Sequence, residues 1–259
     1  MVREHVLRMS SAAHAPHVGS ALSCVDILVA LYFRLARVGP DLVGHPDRDH
    51  VILSKGHACA ALYACLAERG FFNCSLLDDY ARDGSLLGEH PTRGTLPGIE
   101  VTTGSLGHGL GLGTGLALGA RMLAAKSRVF VVMSDGECNE GSVWEAALWA
   151  PRHGLDNLVA VVDFNKLQAT GRSLEITQLA PLREKWQAFG WDAVEVDGHD
   201  FAQLLAALEP RAAGKPRAVI ANTVKGKGVS FMEDNLEWHY RPPNNEELER
   251  ALRELKGEA

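Results

Sequence analysis

Two stretches decide the fold: Arg128-Val-Phe-Val-Val-Met-Ser-Asp-Gly-Glu137 and, after a helix-like segment, Asn157-Leu-Val-Ala-Val-Val-Asp-Phe-Asn165. Each begins with a short apolar run rich in β-branched residues, which is typical of a buried parallel strand. Two parallel strands joined by a helix form a right-handed unit, and their carboxyl ends lie at one edge of the sheet. Open α/β sheets bind ligands at that edge. We therefore expect Asp135 and Asn165 to lie close together there.

These two side chains suit a metal ion. A carboxylate, an amide oxygen and a nearby backbone carbonyl are hard oxygen ligands, which Mg²⁺ or Ca²⁺ prefers, together with a diphosphate group. Gly136 has no side chain, so its backbone N–H can approach a phosphate closely. The simpler alternative is an ordinary Asp-Gly turn in which Asn165 only caps a loop. The residues alone leave both interpretations open.

The rest of the chain alternates strand-like and helix-like segments. We expect strands at 51–53, 128–133, 157–162, 191–196 and 217–221. Helices are expected at 1–13, 23–38, 58–69, 179–189, 201–213 and 246–255, with one more between the two central strands. The segment 104–109 is expected to lead into a further, glycine-rich helix that ends at about 126. Ser23 and Asp26 would open the second helix as a variant of the capping box. This alternation predicts one α/β domain over 1–259, with a doubly wound, mainly parallel sheet and helices on both faces.

The helix expected to end at about 126 and the segment that leads into it are unusually rich in glycine, at positions 107, 109, 111, 113, 115 and 119. Each glycine costs a helix up to ~1 kcal/mol relative to alanine. The pattern therefore requires small residues. We expect close approach to a cofactor at the start of this helix and close packing further along it.

Composition excludes several classes of protein. The chain has 259 residues, 46% of them hydrophobic, but no apolar run approaches the length of a membrane span. Its net charge of −6, with acids and bases mixed, argues against a nucleic-acid surface. Five cysteines without paired metal-type spacing predict free thiols. With no apolar signal-peptide core in the first nine residues, we expect a cytoplasmic protein.

Eleven histidines are many for this length, and several fall in loops or at the ends of elements: His17, His57, His90, His108 and His239. His57 follows the strand at 51–53, so it is expected at the same sheet edge as Asp135 and Asn165. A lone loop histidine is usually a surface residue. Several at one edge can donate hydrogen bonds to a phosphorylated polyol and move protons near neutral pH.

The segment Asp135-Gly-Glu-Cys-Asn-Glu-Gly-Ser-Val-Trp-Glu-Ala146, with Asn165 thirty residues after Asp135, resembles the thiamine diphosphate motif of the transketolase family. The resemblance is strongest to the N-terminal half of split, two-subunit transketolases and extends from about His14 to His239. It implies thiamine diphosphate as cofactor. It also implies that Asp135, Asn165 and the Leu167 carbonyl bind Mg²⁺, for which Ca²⁺ or Mn²⁺ can substitute.

Four more segments resemble family motifs that carry histidines: His17 to Asp26, Ser54-Lys-Gly-His57, Gly88-Glu-His90-Pro91 and Glu237-Trp-His-Tyr240. The resemblance implies that His57 lies near the diphosphate and the reacting carbon. It implies substrate contact for His17, His90 and His239. All four histidines are thereby expected to take part in catalysis.

The resemblance also implies further cofactor residues. Thr102-Thr-Gly-Ser-Leu-Gly107 resembles the segment whose backbone holds the cofactor, which assigns Gly104 and Leu106 to the site. The residues of the metal motif implied to contact the cofactor are Gly136, Glu137 and Asn165. Glu140 resembles a buried glutamate that communicates across the dimer interface beside the cofactor.

The chain departs from the family pattern at three places. Ser134 stands where the family often has glycine, and Phe164 where it often has asparagine. Asn222-Thr223 stands where long-chain members carry a lysine before their Thr-x-x-Gly segment. Lys225 and Lys227 follow, and the sequence leaves open whether they compensate or are simply solvated.

The activity implied by the resemblance is transfer of a two-carbon glycolaldehyde unit from a ketose phosphate to an aldose phosphate. In the family, a glutamate on a pyrimidine-binding domain activates the cofactor. We expect that domain on a separate C-terminal subunit, with the present chain inactive alone and the pair forming an α₂β₂ assembly. An exposed apolar face should mark the contact.

Three alternatives remain at this point. One is a different thiamine enzyme, such as a 2-oxo acid dehydrogenase subunit or a deoxyxylulose-phosphate synthase. Another is a specialised split transketolase with an unusual sugar or an acyl-carrier acceptor. The last is a non-catalytic subunit that only binds the cofactor or supports an assembly, which the intact Asp135, Gly136 and Asn165 argue against.

Overall fold

A five-stranded parallel sheet lies at the centre of the computed structural model, which describes residues 1–209 and 214–258. The strands are β1 (His50–Leu53), β2 (Val129–Ser134), β3 (Leu158–Phe164), β4 (Asp192–Asp197) and β5 (Arg217–Asn222). Their order is β1-β2-β3-β5-β4, and every neighbouring pair is parallel. The predicted doubly wound α/β fold is confirmed.

The central strands are apolar along their whole length because both faces of the sheet are covered. In β2, Phe130 and Val132 face one core, whereas Val129 and Val131 face the other. All residues of β2 and β3 are buried. Continuous apolar runs of this kind are characteristic of parallel strands covered on both sides.

Helices form a layer on each face. The first layer contains α1 (Val2–Ala12), α2 (Val18–Ser23), α3 (Val25–Ala30), α4 (Cys59–Glu68), α9 (Phe201–Leu208) and α10 (Asn245–Lys256). The second contains α5 (Gly109–Met122), α6 (Gly141–Arg152) and α8 (Leu182–Ala188). A short helix, α7 (Ser173–Ile176), lies in the connection that follows β3.

The prediction of a helix at 23–38 is wrong about the residue at which the helix begins and about its capping side chain. The chain is helical from Val18, breaks at Cys24, and ends in a wider π-helical turn at Leu31–Leu35. The Ser23 hydroxyl caps no helix but donates to the buried Asp163 carboxylate, with an O···O distance of 2.6 Å. A hydroxyl inside a core is satisfied by the acceptor it meets there, which the local sequence does not reveal.

Two other helix boundaries differ from the prediction. α5 begins at Gly109, after the segment at 104–108 that leads into it, but ends at Met122 rather than at 126. α9 ends at Leu208, and the remainder of the helix predicted to 213 falls partly on residues 210–213, which lie outside the described residues.

Only some of the glycines of α5 are explained by packing within the chain. A Cβ on Gly109 would lie 2.1 Å from the Ser54 hydroxyl, and one on Gly113 would lie 2.4 Å from a methyl of Val131. These two glycines let the helix approach the sheet closely, as predicted. Gly111 and Gly115 have no such neighbour within 4 Å.

The thiols and the helix lengths agree with the composition. All five cysteines are unpaired, and only Cys74 is exposed; the buried ones are Cys24, Cys59, Cys65 and Cys138. None of the helices in the described residues is long and apolar enough to cross a bilayer.

Candidate functional site

A cavity of about 410 Å³ lies at the carboxyl edge of the sheet. All but one of the predicted site residues line it: His17, His57, His90, Gly104, Leu106, Asp135, Gly136, Glu140, Asn165, Leu167 and His239. Residues that follow β1, β2 and β3 meet here because parallel strands end at the same edge. The structure therefore places the predicted metal and histidine residues around one space.

The predicted metal-binding oxygens are held by the backbone and by hydroxyl groups. The Asp135 carboxylate accepts hydrogen bonds from the backbone N–H of Gly136 (2.9 Å) and Lys166 (2.9 Å) and from the Ser173 hydroxyl (2.7 Å). Asn165 Oδ1 accepts from the Leu167 N–H at 3.1 Å. Three oxygens of the kind that Mg²⁺ prefers are thus fixed at the cavity by Asp135, Asn165 and Leu167.

Asp135 is fully buried. Burial raises the pKa of its carboxyl group, and the neighbouring Asp163 adds to the increase. A divalent cation would favour the charged form of Asp135 by direct attraction. The donor set and its need for a positive charge fit the metal ion that the sequence predicts.

Three histidine rings meet within the same cavity. The ring centroid of His17 lies 5.1 Å from that of His57 and 5.0 Å from that of His239. Burial, reinforced by nearby positive groups, lowers the pKa of His17 to about 4 and that of His239 to about 3. Burial also lowers the pKa of His57 well below its ordinary value. All three rings are therefore neutral at pH 7, so each offers one N–H donor and one acceptor.

Two polar atoms facing this region have no partner within the described chain. They are Nδ1 of His17 and the amide nitrogen of Gln168, both buried. Their residues line the cavity. Buried polar atoms are usually hydrogen-bonded, so unpaired ones at a cavity indicate that a polar ligand binds there.

Lys225 is a site residue that the sequence left undecided. It is fully buried, and its Nζ lies 2.6 Å from Nδ1 of His239 and 3.3 Å from the Leu167 carbonyl oxygen. Burial and the charge of Lys55 lower the pKa of Lys225 to about 7. Lys227, by contrast, is partly exposed and pairs with Glu233 at 3.2 Å. The sequence feature that could have identified Lys225 is its position just after the carboxyl end of β5, at the ligand-binding edge of the sheet.

A buried ion pair supports the floor of the site. Lys55 Nζ lies 2.5 Å from Asp163, and both side chains are fully buried. Burial alone would lower the pKa of Lys55, but Asp163, Cys24 and Asp135 together raise it above its ordinary value. Thr223, which stands beside the position of the family's lysine, donates its hydroxyl to Asp163. Lys55 also lines the cavity, although the sequence analysis gave it no role.

Glu137 is the predicted cofactor residue that does not line the cavity. Its buried carboxyl group accepts hydrogen bonds from the Ser54 hydroxyl and from the Gly107 N–H (2.9 Å). Burial raises the pKa of Glu137. It joins the end of β1 to the loop before α5, so the structure gives it a supporting position.

Glu140 lines the cavity but is exposed in the single chain, whereas the resemblance implies a buried residue.

Gly104 has a φ of 152°, and a Cβ there would lie 2.8 Å from the His90 ring. Glycine is therefore required where the backbone passes the ring of His90.

Further lining residues were not predicted from the sequence: Ser20, Asn139, Gln168, Ala169 and Tyr240. Tyr240 is 62% exposed, and its ring lies 5.7 Å from that of His17. Its position directly after His239 is the sequence feature that could have identified it as a lining residue.

Comparisons with known proteins point to one family. The family model described as "Transketolase, thiamine diphosphate binding domain" matches residues 2–257. The chain is 42% identical over 255 residues to an apulose-4-phosphate transketolase subunit of Phocaeicola vulgatus, covering 98% of this chain and 90% of that protein. It is 42% identical over 260 residues to a 6-deoxy-6-sulfo-D-fructose transketolase subunit of Clostridium sp., covering 100% and 94%.

Solved structures give the same result for the fold. A transketolase from Pichia stipitis in complex with sedoheptulose 7-phosphate superposes with a TM-score of 0.93 at 29% identity, covering 98% of this chain. A transketolase from Campylobacter jejuni gives 0.92 at 28% identity, again covering 98% of this chain. This chain spans 40% and 41%, respectively, of those two longer chains.

Proposed function

The chain belongs to the transketolase N-terminal family, whose domain binds thiamine diphosphate, and on that premise we propose that it is the cofactor-binding subunit of a two-subunit transketolase. The reaction is transfer of a two-carbon ketol unit from a ketose phosphate to an aldose phosphate. The observation that carries this proposal is the single cavity in which the oxygens of Asp135, Asn165 and Leu167 meet His17, His57 and His239.

The metal-binding residues fit a cofactor that carries a diphosphate. Asp135, Asn165 and the Leu167 carbonyl would hold Mg²⁺, and Lys225 places a cationic group beside the same carbonyl. A diphosphate next to Lys225 would favour its ammonium form, against the effect of burial. When bound, thiamine diphosphate supplies the carbanion chemistry that breaks and forms bonds next to a carbonyl.

The histidines fit a polyol substrate. His17 and His239 are neutral, so they can bind hydroxyl groups as donors or acceptors without introducing charge. His57 follows β1 at the sheet edge and would hold or move a proton at the reacting carbon. His90 lines the same cavity beside Gly104 and would bind a further hydroxyl group.

A partner chain is supported by the relatives that are themselves named as transketolase subunits and by an exposed apolar face. That face consists of Leu112 and Met122 of α5, Leu123 directly after it, and Leu148 and Trp149 of α6, which are 39–82% exposed. Gly111 and Gly115 lie on α5 with open space around them, which would allow another backbone to approach closely. We propose that a second chain covers this face, that the pyrimidine-binding domain lies on a separate subunit, and that the stoichiometry is α₂β₂.

The sugar substrates have two candidate classes. Common pentose phosphates are the donors and acceptors that the family resemblance implies. Modified ketoses are the second class, because the two relatives at 42% identity are named for apulose 4-phosphate and for 6-deoxy-6-sulfo-D-fructose. Both classes therefore belong in the assay.

The test is a coupled assay of this chain with and without its co-expressed partner, in the presence of Mg²⁺ and thiamine diphosphate. Xylulose 5-phosphate, apulose 4-phosphate and 6-deoxy-6-sulfo-D-fructose serve as donors, with ribose 5-phosphate or glyceraldehyde 3-phosphate as acceptors. We expect turnover only in the pair. Absence of turnover and of cofactor binding in the pair would overturn the catalytic assignment in favour of a non-catalytic subunit.

The metal assignment has its own test. Asp135→Ala removes the carboxylate and should abolish the Mg²⁺-dependent binding of thiamine diphosphate, measured by calorimetry on the reconstituted pair. Asp234→Ala, which changes an exposed carboxylate paired with Arg172, is the matched control and should bind normally. Unchanged affinity in Asp135→Ala would refute the metal site.

A further inference from the structure

A histidine, a glutamate and a cysteine side chain cluster outside the cavity, where α1 and α4 meet the 3₁₀ turn at Cys74–Asp79. His5 comes from α1, Glu68 is the last residue of α4, and Cys74 begins the turn. One ligand atom of each residue lies within 4.8 Å of the other two. His5 Nε2 and Glu68 Oε1 are already 2.8 Å apart.

The donor atoms are an imidazole nitrogen, a carboxylate oxygen and a thiol sulfur. Zn²⁺ binds all three kinds in tetrahedral sites, often with a water molecule as fourth ligand. Metal–ligand bonds of about 2.0–2.3 Å place tetrahedral donors roughly 3.5 Å apart. His5 and Glu68 would therefore separate slightly, and the exposed Cys74 side chain would rotate inward. A thiolate and an imidazole favour such a metal over Mg²⁺.

Access and local charge also suit a cation. A surface cavity of about 690 Å³ is lined by His5 and Cys74, so the group is open to solvent. Glu68 stands at the carboxyl end of α4, where the helix dipole attracts positive charge.

The neighbouring guanidinium groups are engaged elsewhere. Arg8 donates to Glu4 at 2.7 Å. Arg69 donates to the backbone carbonyls of Tyr32 and Val38. Neither group pairs with the Glu68 carboxylate, whose observed partner is His5.

We propose that His5, Glu68 and Cys74 form a Zn²⁺ site that fastens the amino-terminal helix to α4 and to the turn after it. The metal takes the place of the hydrogen bond between His5 and Glu68, and the Cys74 thiol releases its proton on binding. Because these donors come from three separate segments, the metal binds the folded chain only and stabilises it. None of the three residues lines the cavity described above, so the site is independent of the proposed catalytic function.

Co²⁺ is the probe for the test because a cobalt–thiolate bond gives a charge-transfer absorption band. The full chain, reduced and freed of metal with a chelator, is titrated with Co²⁺ and then with Zn²⁺. We expect one thiolate-linked Co²⁺ per chain, displaced by Zn²⁺. The band reports on Cys74, because the other four thiols are buried.

Three variants test the ligands. Cys74→Ser should remove the band, and His5→Gln and Glu68→Gln should each weaken binding at least tenfold. His45→Gln changes an exposed loop histidine and should leave the titration unchanged. Circular dichroism verifies that each variant is folded. Zn²⁺ should raise the melting temperature of the wild type but not of Cys74→Ser.

Several results would overturn the proposal. They are absence of a thiolate band at one equivalent of Co²⁺, persistence of the band in Cys74→Ser, and full affinity in a folded His5→Gln variant. The experiment needs neither thiamine diphosphate nor a partner chain, so its failure is distinguishable from failure of the proposed transketolase function.

Discussion

Replacing Lys55 by methionine tests whether the buried ion pair beneath the cavity supports the fold. Lys55 Nζ contacts Asp163 at 2.5 Å and the Ser20 carbonyl oxygen at 2.9 Å, and both members of the pair are fully buried. Lys55→Met leaves the Asp163 carboxylate buried with two hydroxyl donors, from Ser23 and Thr223, and no counter-charge. The uncompensated charge should therefore destabilise the chain strongly.

The expected magnitude follows from measured losses at comparable sites. Removing one partner of a buried ion pair costs about 3–5 kcal/mol. For a chain of this size that corresponds to a fall in melting temperature of roughly 6–20 °C. Adding Asp163→Asn removes the unpaired charge but keeps an oxygen for both hydroxyls, so the double variant should recover about 2 kcal/mol relative to Lys55→Met alone.

The assay is urea unfolding followed by circular dichroism, with linear extrapolation to zero denaturant. Lys227→Met is the matched control, because Lys227 and Glu233 are each about one-third exposed and such pairs contribute about 0–1 kcal/mol. A loss below about 1 kcal/mol in Lys55→Met would refute the reasoning. A double variant that is less stable than Lys55→Met would also refute it, because removing the buried charge of Asp163 would then bring no gain in stability.

Three further predictions concern the cavity and the glycine-rich helix. The pKa of His17 is about 4 in the folded chain, which is below its value in the unfolded chain, so protonation of His17 favours unfolding. The urea concentration at the unfolding midpoint should therefore fall between pH 7 and pH 5, and the fall should be smaller in His17→Gln. Gly113→Ala should lower the free energy of unfolding of the isolated chain by about 1–3 kcal/mol, because the added methyl group overpacks the contact with Val131. Gly115→Ala, which has open space around it, should raise the free energy of unfolding by up to ~1 kcal/mol. Lys225→Ala should weaken thiamine diphosphate binding at least tenfold by calorimetry, and Lys227→Ala should not; equal effects would refute the difference in their positions.

The position of the site could be predicted because it depends on the direction of the strands. Once β2 and β3 are recognised as parallel neighbours, Asp135 and Asn165 must lie at the same edge, and the structure pairs Ser134 with Asp163 in register. His57 followed from the same rule, since β1 pairs with β2. The positions of these residues could therefore be predicted from the order of the strands and the points at which they end. Their individual roles came from the family resemblance.

Other features could not be predicted because they depend on contacts between distant segments. The Ser23 hydroxyl meets Asp163 across 140 positions, so a local capping pattern gave the wrong interpretation. The burial of Lys225 depends on how the loop after β5 folds back on Gly19 and His239, which no periodic pattern encodes. Glu137 was placed in the site by its position next to Gly136, yet its side chain turns toward Ser54 and Gly107.

The departures at Ser134 and Phe164 can be understood from the alternation of side chains along β2 and β3. Successive residues of a strand point to opposite faces, so Phe164 packs into the core beside α5 and α6, whereas Asp163 faces the layer of α2. An amide at 164 would therefore enter that apolar core, and phenylalanine there removes no group from the metal-binding edge. The Ser134 hydroxyl accepts the Glu137 N–H at 3.1 Å and stabilises the turn that presents Asp135. Both departures are thus compatible with the metal site. At the third departure, Asn222 stands in place of the family's lysine, and its side-chain amide donates to the exposed Glu195 at 2.8 Å, so it supplies no group to the cavity.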